Sequence, residues 1–413
     1  VKILVLTNYW PPEIGASPHL TFELCASLVS YGHQVSVATG FPRYNVQDMP
    51  ARYIGKLFYR EEEEGIKVHR IVAPSSSSRM ALVRSFEHMF VFPPLLLAGL
   101  LSGPADVVFT VSPPLPLGLS AWMVSKIRGA RFVFGVQDLF PQNAIDLGLL
   151  RNKLAIWLSR RLELFIYKKA EVITVHSEGN RDYLMRQAGV PAQKVNVIPN
   201  WVDIESIIPG CRYNSFRAKH NLGDKFIVLF AGTIGWSQGL EVILEASSRL
   251  RNYEDIVFLI VGDGVEKARL IAKAIAMKLS NIRFIPMQPR DKYPLVLSAA
   301  DVCLVTLRPN VSTPVVPSKL LTIMASGRPV IAAVPGQGDV PKIIRTSQCG
   351  VWVDPKNPED LAQAVLMLYA SPGLRETYGR NGRKFAETHF SREVCTKKYE
   401  RLFASITGGG SHV

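Results

Sequence analysis

The side chains best placed to do chemistry lie just after short apolar runs, in opposite halves of the chain. Lys319 belongs to residues 315–331, VVPSKLLTIMASGRPVI, which read as a loop, a short helix and a buried strand. Ser318 is placed to cap that helix, Leu320, Leu321, Ile323 and Met324 form its apolar body, and Gly327 supplies the left-handed residue that ends it. Free N–H groups at a helix start attract anions, and Lys319 adds a full positive charge there. A merely solvated lysine on a crossover helix fits the same spacing. Asp138, beside Gln137, ends the run Arg131 to Val136 and precedes Leu139-Phe140-Pro141. Such a carboxylate can orient a hydroxyl or accept its proton, or it can simply cap a turn. Gly15, in a Pro-Pro-containing loop, and Gly262, in Gly262-Asp263-Gly264, let backbone approach a ligand without a Cβ in the way, or serve only their turns. Glu13 and His19 flank the first of these loops.

Those residues need a scaffold that delivers them to one place. Lys2 to Thr7, Gln34 to Gly40, Lys67 to Val72, Val107 to Val111, Arg131 to Val136, Val172 to Val175 and Val195 to Ile198 are short apolar runs rich in β-branched residues, the pattern of buried parallel strands. Helical spacing of Leu20, Leu24 and Leu28 joins the first two into a βαβ unit. A second series starts at Phe226 and continues with runs at 257–261, 282–285, 302–305, 330–333 and 350–353. The expected fold is α/β, two doubly wound Rossmann-like domains facing across a cleft. The first spans 1–205, the second 206–390, and a C-terminal helix over 391–407 returns to the first. Residues 203–224, polar and irregular, read as the linker.

At 413 residues the chain exceeds one compact core. Its net charge of +14 suits phosphorylated substrates, anionic lipid or nucleic acid, but no base-stacking or recognition pattern supports the last. Five scattered cysteines without C-x-x-C spacing read as reduced thiols, and no metal site is indicated. Neither half has the glycine fingerprint of a dinucleotide site or a P-loop. No signal peptide is expected, and the apolar run Met89 to Leu101, broken by Pro93-Pro94, is too short to span a bilayer.

Seven spaced motifs then resemble the family-4 glycosyltransferases of the GT-B fold. They are Tyr9-Trp10-Pro11-Pro12-Glu13-Ile14-Gly15, Gly32-His33-Gln34-Val35, Ile198-Pro199-Asn200-Trp201-Val202-Asp203, Ala231-Gly232-Thr233-Ile234-Gly235 with Gln238-Gly239-Leu240, Val261 to Gly264, Ala300-Asp301-Val302, and residues 315–331. Gln137 to Pro141 and Pro317-Ser318-Lys319 look most like the bacterial surface-polysaccharide branch that includes N-acetyl-L-fucosamine transferases. The resemblance implies transfer of a sugar from a UDP-linked donor to a polyprenyl-diphosphate-linked saccharide, with retention and without a metal or other cofactor. It implies donor contacts at Gly15, Gly232, Thr233, Gln238, Gly262, Pro286, Arg290, Ser318, Lys319, Leu320 and Thr322, an acceptor side at Glu13 and His19, and catalytic roles for Asp138 and Lys319.

Several positions depart from that family's pattern. Thr233 and Gln238 stand where relatives carry arginine and lysine, so Lys319 is the expected replacement cation. Pro314 and Thr322 stand where relatives carry paired glutamates, which leaves a ribose contact to the Thr322 hydroxyl or another group. Basic residues gather in the first half, among them Arg79, Arg84, Arg128, Arg151, Lys153, Arg160, Arg161, Lys168 and Lys169. Between Arg151 and Ala170 they alternate with Leu154, Trp157, Leu158 and Phe165. This suits contact with the anionic inner face of a cytoplasmic membrane, although an amphipathic crossover helix would share the pattern. A nucleotide-sugar epimerase of the same fold, turning over its donor without an acceptor, and a non-catalytic nucleotide-sugar binder are the competing readings.

Overall fold

The computed structural model describes residues 1–13, 15–42, 46, 49–73, 90–146, 148–311 and 313–408. The chain divides into two compact units, Val1–Asn200 with Glu393–Val413, and Trp201–Arg392.

Unit 1 is built on eight strands: β1 (Lys2–Leu6), β2 (Gln34–Gly40), β3 (Phe58–Glu63), β4 (Ile66–Ile71), β5 (Val107–Ser112), β6 (Arg131–Val136), β7 (Val172–Val175) and β8 (Val195–Val197). Their order is β3-β4-β2-β1-β5-β6-β7-β8, so the winding reverses between β1 and β5. All neighbours are parallel except β3 and β4, a hairpin turned through Glu64 and Gly65, both with positive φ. Ile3↔Val35 and Ile3↔Val107 set the central register. Sequence reading passes over β3, because its face is written in glutamates. Glu61 pairs inward with Arg70, which is 1% exposed and also donates to Gly40 O and Pro11 O.

The helix Arg392–Ile406 buries Cys395, Thr396, Tyr399 and Phe403. Tyr399 and Phe403 each pack on Phe109 of β5 with ring centroids 5.6 Å apart, and Tyr31 OH meets Thr396 Oγ1 at 3.0 Å. The residues from Glu393 onward are therefore part of unit 1.

Unit 2 has six parallel strands, β9 (Phe226–Ala231), β10 (Ile256–Val261), β11 (Ile282–Ile285), β12 (Val302–Thr306), β13 (Val330–Ala333) and β14 (Gly350–Val353). Their order is β11-β10-β9-β12-β13-β14. β9, β10 and β12 are wholly buried, which explains their unbroken apolar runs. The break between units falls at Asn200, ahead of the expected 205, because the next residues are tied into unit 2. Val202 N–H bonds Phe390 O, and the Arg383 guanidinium donates to Ile204 O and Ile207 O. Residues 203–224 are not a free linker either. Arg217, buried on the helix Ser215–Lys219, pairs with buried Asp301 at 2.8 Å and donates to Gly223 O and Ala299 O.

Candidate functional site

In an open parallel sheet, ligands collect beyond the carboxyl ends of the strands where the winding reverses. In unit 2 that point lies between β9 and β12. β9 delivers Gly232 to Gln238, and β12 leads through residues 307–317 to the helix Ser318–Ala325. This places Lys319, Gly232 and Gln238 together.

Lys319 Nζ donates to Gln238 Oε1 and lies 3.9 Å from the centroid of the Phe230 ring. Its chain runs over the bare Cα of Gly232, where an added Cβ would be 3.6 Å from Cε and 3.7 Å from Nζ. Among the described residues no carboxylate meets Lys319, and burial lowers its pKa from 10.5 to about 7. A half-buried ammonium whose partners among the described residues are a ring face and one amide is suited to receive an anion. The floor beneath is rigid. Gly232 N–H bonds Val261 O, Ile234 N–H bonds Asp263 O, and a Cβ on Gly262 would sit 1.9 Å from Gly232 O. Gly262 is therefore held as glycine by backbone packed against backbone.

Ser318 does not cap its helix. Pro317 occupies the N-cap with φ −62° and ψ 131°, and Ser318 is the exposed first helical residue. Proline's fixed geometry enters the helix without a side-chain cap. Leu320 is buried in the core, and its N–H already donates to Pro317 O at 2.9 Å. Thr322 Oγ1 donates back to Lys319 O and lies 3.5 Å from the Tyr293 hydroxyl, whose pKa burial pushes up to about 12. Thr233 is exposed at the turn after Gly232. Pro286 and Arg290 are exposed beyond β11, two strands from β9, with Pro286 O accepting from Gln288 Nε2 at 2.9 Å.

The sequence reading missed Arg308. It stacks on Trp236 at 4.1 Å and pairs with Glu241 at 3.2 Å and Glu266 at 3.4 Å, with Arg269 on the same carboxylates. It lies in a proline- and asparagine-containing loop where nothing local distinguishes it from a solvated arginine.

In unit 1, Asp138 follows β6 and is exposed at its surface, while the protein crowding it raises its pKa by desolvation. Its carboxylate has no hydrogen bond or ion pair among the described residues. Beside it Gln137 and Asn200 exchange two amide hydrogen bonds of 2.9 and 2.7 Å, which fixes the strand end. Glu13 is buried and accepts the Trp10 N–H, so it braces its own loop. His19 pairs with Glu23 one turn along the helix Ala16–Ser30. Gly15 is the N-cap of that helix, in extended geometry. Among the described residues no group of three or more His, Cys, Asp or Glu could hold a metal ion.

Two Rossmann-like units along one chain, the second with a lysine set at its switch point, are the architecture of the GT-B fold. Residues 15–201 match the model of the glycosyl transferase 4-like domain, and residues 213–385 match glycosyl transferases group 1. Together these cover most of the chain, which belongs to this glycosyltransferase family. Escherichia coli K12 WcaI, assigned to colanic acid biosynthesis as a glycosyl transferase, is 28% identical over 97% of this chain and 98% of its own length. WbjE of Pseudomonas aeruginosa, assigned as a glycosyltransferase, is 28% identical over 63% of this chain and 65% of its own. Among solved structures, sucrose-phosphate synthase from Thermosynechococcus elongatus superposes with a TM-score of 0.78 at 19% identity, covering 99% and 100% of the two chains. Anabaena HepE in complex with UDP gives 0.73 at 16% identity, covering 98% and 100%.

Proposed function

We propose that this glycosyltransferase moves a hexosyl or N-acetylhexosaminyl group from a UDP-linked donor to a polyprenyl-diphosphate-linked saccharide, with retention, in the synthesis of a cell-surface polysaccharide. The observation that carries the reading is Lys319, a desolvated cation held by Gln238 over the bare backbone of Gly232. A departing nucleoside diphosphate needs preorganised positive charge, which is the largest part of catalysis for such leaving groups. Lys319 meets that need from the helix start, in place of cations at Thr233 and Gln238. Metal independence belongs to the proposal, with Lys319 and backbone N–H groups neutralising the leaving group. Asp138 is assigned to orienting or deprotonating the acceptor hydroxyl, directly or through water.

Membrane association is part of the same proposal. On the helix Lys153–Lys169, Leu154 is 65% exposed and Trp157 53%, with Leu158 and Leu164 also outward among Arg160, Arg161 and Lys168. Phe90, Leu97 and Leu101 add exposed apolar surface elsewhere in unit 1. Arg79 and Arg84 lie outside the described residues. No helix among the described residues is long and apolar enough to cross a membrane, so the proposed attachment is to the inner leaflet surface. The activity test is UDP release from a panel of UDP-sugars with lipid-linked saccharide extracted from bacterial membranes. The expected result is acceptor-dependent release from one donor, resistant to EDTA and lost in Lys319→Ala. Turnover without acceptor, or a Lys319→Ala enzyme that binds and transfers normally, overturns the proposal.

A further inference from the structure

We infer that the outer edge of unit 2 carries a second saccharide-binding surface, a tryptophan-based groove along β14 that takes a stretch of polysaccharide. The inference rests on the glycosyltransferase reading for the kind of polymer present, and on the groove itself for the site. β14 is the edge strand, three strands from β9, so the groove lies about 14 Å across the sheet from the donor crevice.

Trp352 is 41% exposed, yet it is not loose. Its indole N–H donates to Val334 O at 2.9 Å, and Gly336 lies against the ring, where a Cβ would come within 3.1 Å of Cζ2. An exposed aromatic already fixed in place loses little conformational freedom when a ligand stacks on it. Its flat apolar surface matches the C–H face of a pyranose, while its polar neighbours can meet hydroxyls. On one side Trp352, Met367, Tyr378, Arg345, Gln348 and Asn381 line a groove of 730 Å³. On the other, a groove of 450 Å³ shares Val351, Trp352 and Met367 and runs to Asp354 and Asp360.

Three of the polar groups are unspent. The side chains of Arg345, Gln348 and Tyr378 make no hydrogen bond to other described residues. Gln348 holds φ 50°, the left-handed position that ends the helix Asp339–Ser347 and that favours glycine or asparagine. Retaining a long amide there delivers a donor and an acceptor to the groove rim. One arginine at one end and two aspartates at the other do not suit a polyphosphate. Alternating amide, hydroxyl and aromatic surface suits a chain of sugar hydroxyls and ring faces.

The test is affinity electrophoresis of the full chain in native gels cast with dextran, with colanic acid, or with no polysaccharide. Wild type is expected to be retarded in a polysaccharide gel relative to the plain one. Trp352→Ala and the exposed double variant Arg345→Ala/Gln348→Ala are each expected to lose at least about tenfold in apparent affinity, as removal of a central aromatic or charged anchor does. Lys319→Ala is expected to remain retarded. Equal mobility of wild type in all three gels overturns the inference, as does undiminished retardation of the double variant. No donor is present, so that outcome leaves the transfer reading standing. Preserved retardation in a chain that releases no UDP sinks the transfer reading alone.

Discussion

Lys319→Met is the most informative single change, because it keeps the apolar stem over Gly232 and removes the titrating charge together with its hydrogen bond to Gln238. In the folded chain Lys319 titrates at about 7, against 10.5 for a free lysine. Each pKa unit is about 1.4 kcal/mol, so the folded state disfavours the charged form by roughly 5 kcal/mol. Between pH 7 and 10.5 the unfolded chain holds more of this proton than the folded one, so wild-type stability rises with pH across that window. Below 7 the full penalty is present. Lys319→Met lacks it, and the variant is expected to be more stable by roughly 4.5 kcal/mol at pH 6.5 and by only about 1.5 kcal/mol at pH 9.5. Urea unfolding of both proteins at the two pH values reads the difference. Binding reports the same proton. A diphosphate beside Lys319 restores the charge, so UDP binding should take up close to one proton per site above pH 8 and weaken by about tenfold per further pH unit. Calorimetry in buffers of different ionisation enthalpy measures the uptake. A stability gap independent of pH, or binding heats independent of buffer, refutes the argument that burial lowers the Lys319 pKa and that a bound diphosphate restores its charge.

Three further changes probe other parts of the molecule. Asp138→Asn is expected to lower kcat by about 10²–10⁴ with donor affinity retained. Wild-type activity should fall as pH drops through the raised Asp138 pKa, and steady-state kinetics across pH should show that acid limb missing from the variant. Gly262→Ala forces a Cβ to within 1.9 Å of Gly232 O, so a loss of about 3 kcal/mol or more and of UDP binding is expected by thermal denaturation and titration. Trp157→Glu places an anion on the exposed helix face and should weaken sedimentation with anionic vesicles by at least about tenfold while far-UV circular dichroism stays unchanged.

The strands of both sheets were legible because parallel strands buried on two faces are written as unbroken apolar runs, as in Phe226 to Ala231. β3 was not, since an edge strand tolerates glutamates and Glu61 finds its partner in Arg70 only after folding. Lys319 could be picked out because a helix start and a cation coincide in sequence. Its partners could not, because Gln238 is 81 residues away and the Phe230 ring belongs to β9, equally remote in the chain. Arg308 was hidden for the same reason. Glu13, expected on the acceptor side, also accepts the Trp10 N–H within its own loop, a contact that no local pattern in the sequence announces. Ser318 was misread because a serine before an apolar run resembles a cap, whereas Pro317 had already set the entry angle.

The return of the helix Arg392–Ile406 to unit 1 has a consequence for synthesis. Unit 2 is one uninterrupted stretch, Trp201–Arg392, and its sheet is complete once that stretch has left the ribosome. Unit 1 begins before unit 2 and is completed after it. The Phe109 ring keeps an uncovered face until Tyr399 and Phe403 emerge nearly three hundred residues later. Domains of nascent chains generally close in order from the N-terminus. Here unit 1 must wait with an apolar surface open while unit 2 closes, and the helix Arg392–Ile406, translated after unit 2, acts as the latch. A chain stalled or cut before Glu393 would therefore hold a finished unit 2 beside an unfinished unit 1, the state most prone to capture by chaperones or by another copy of itself.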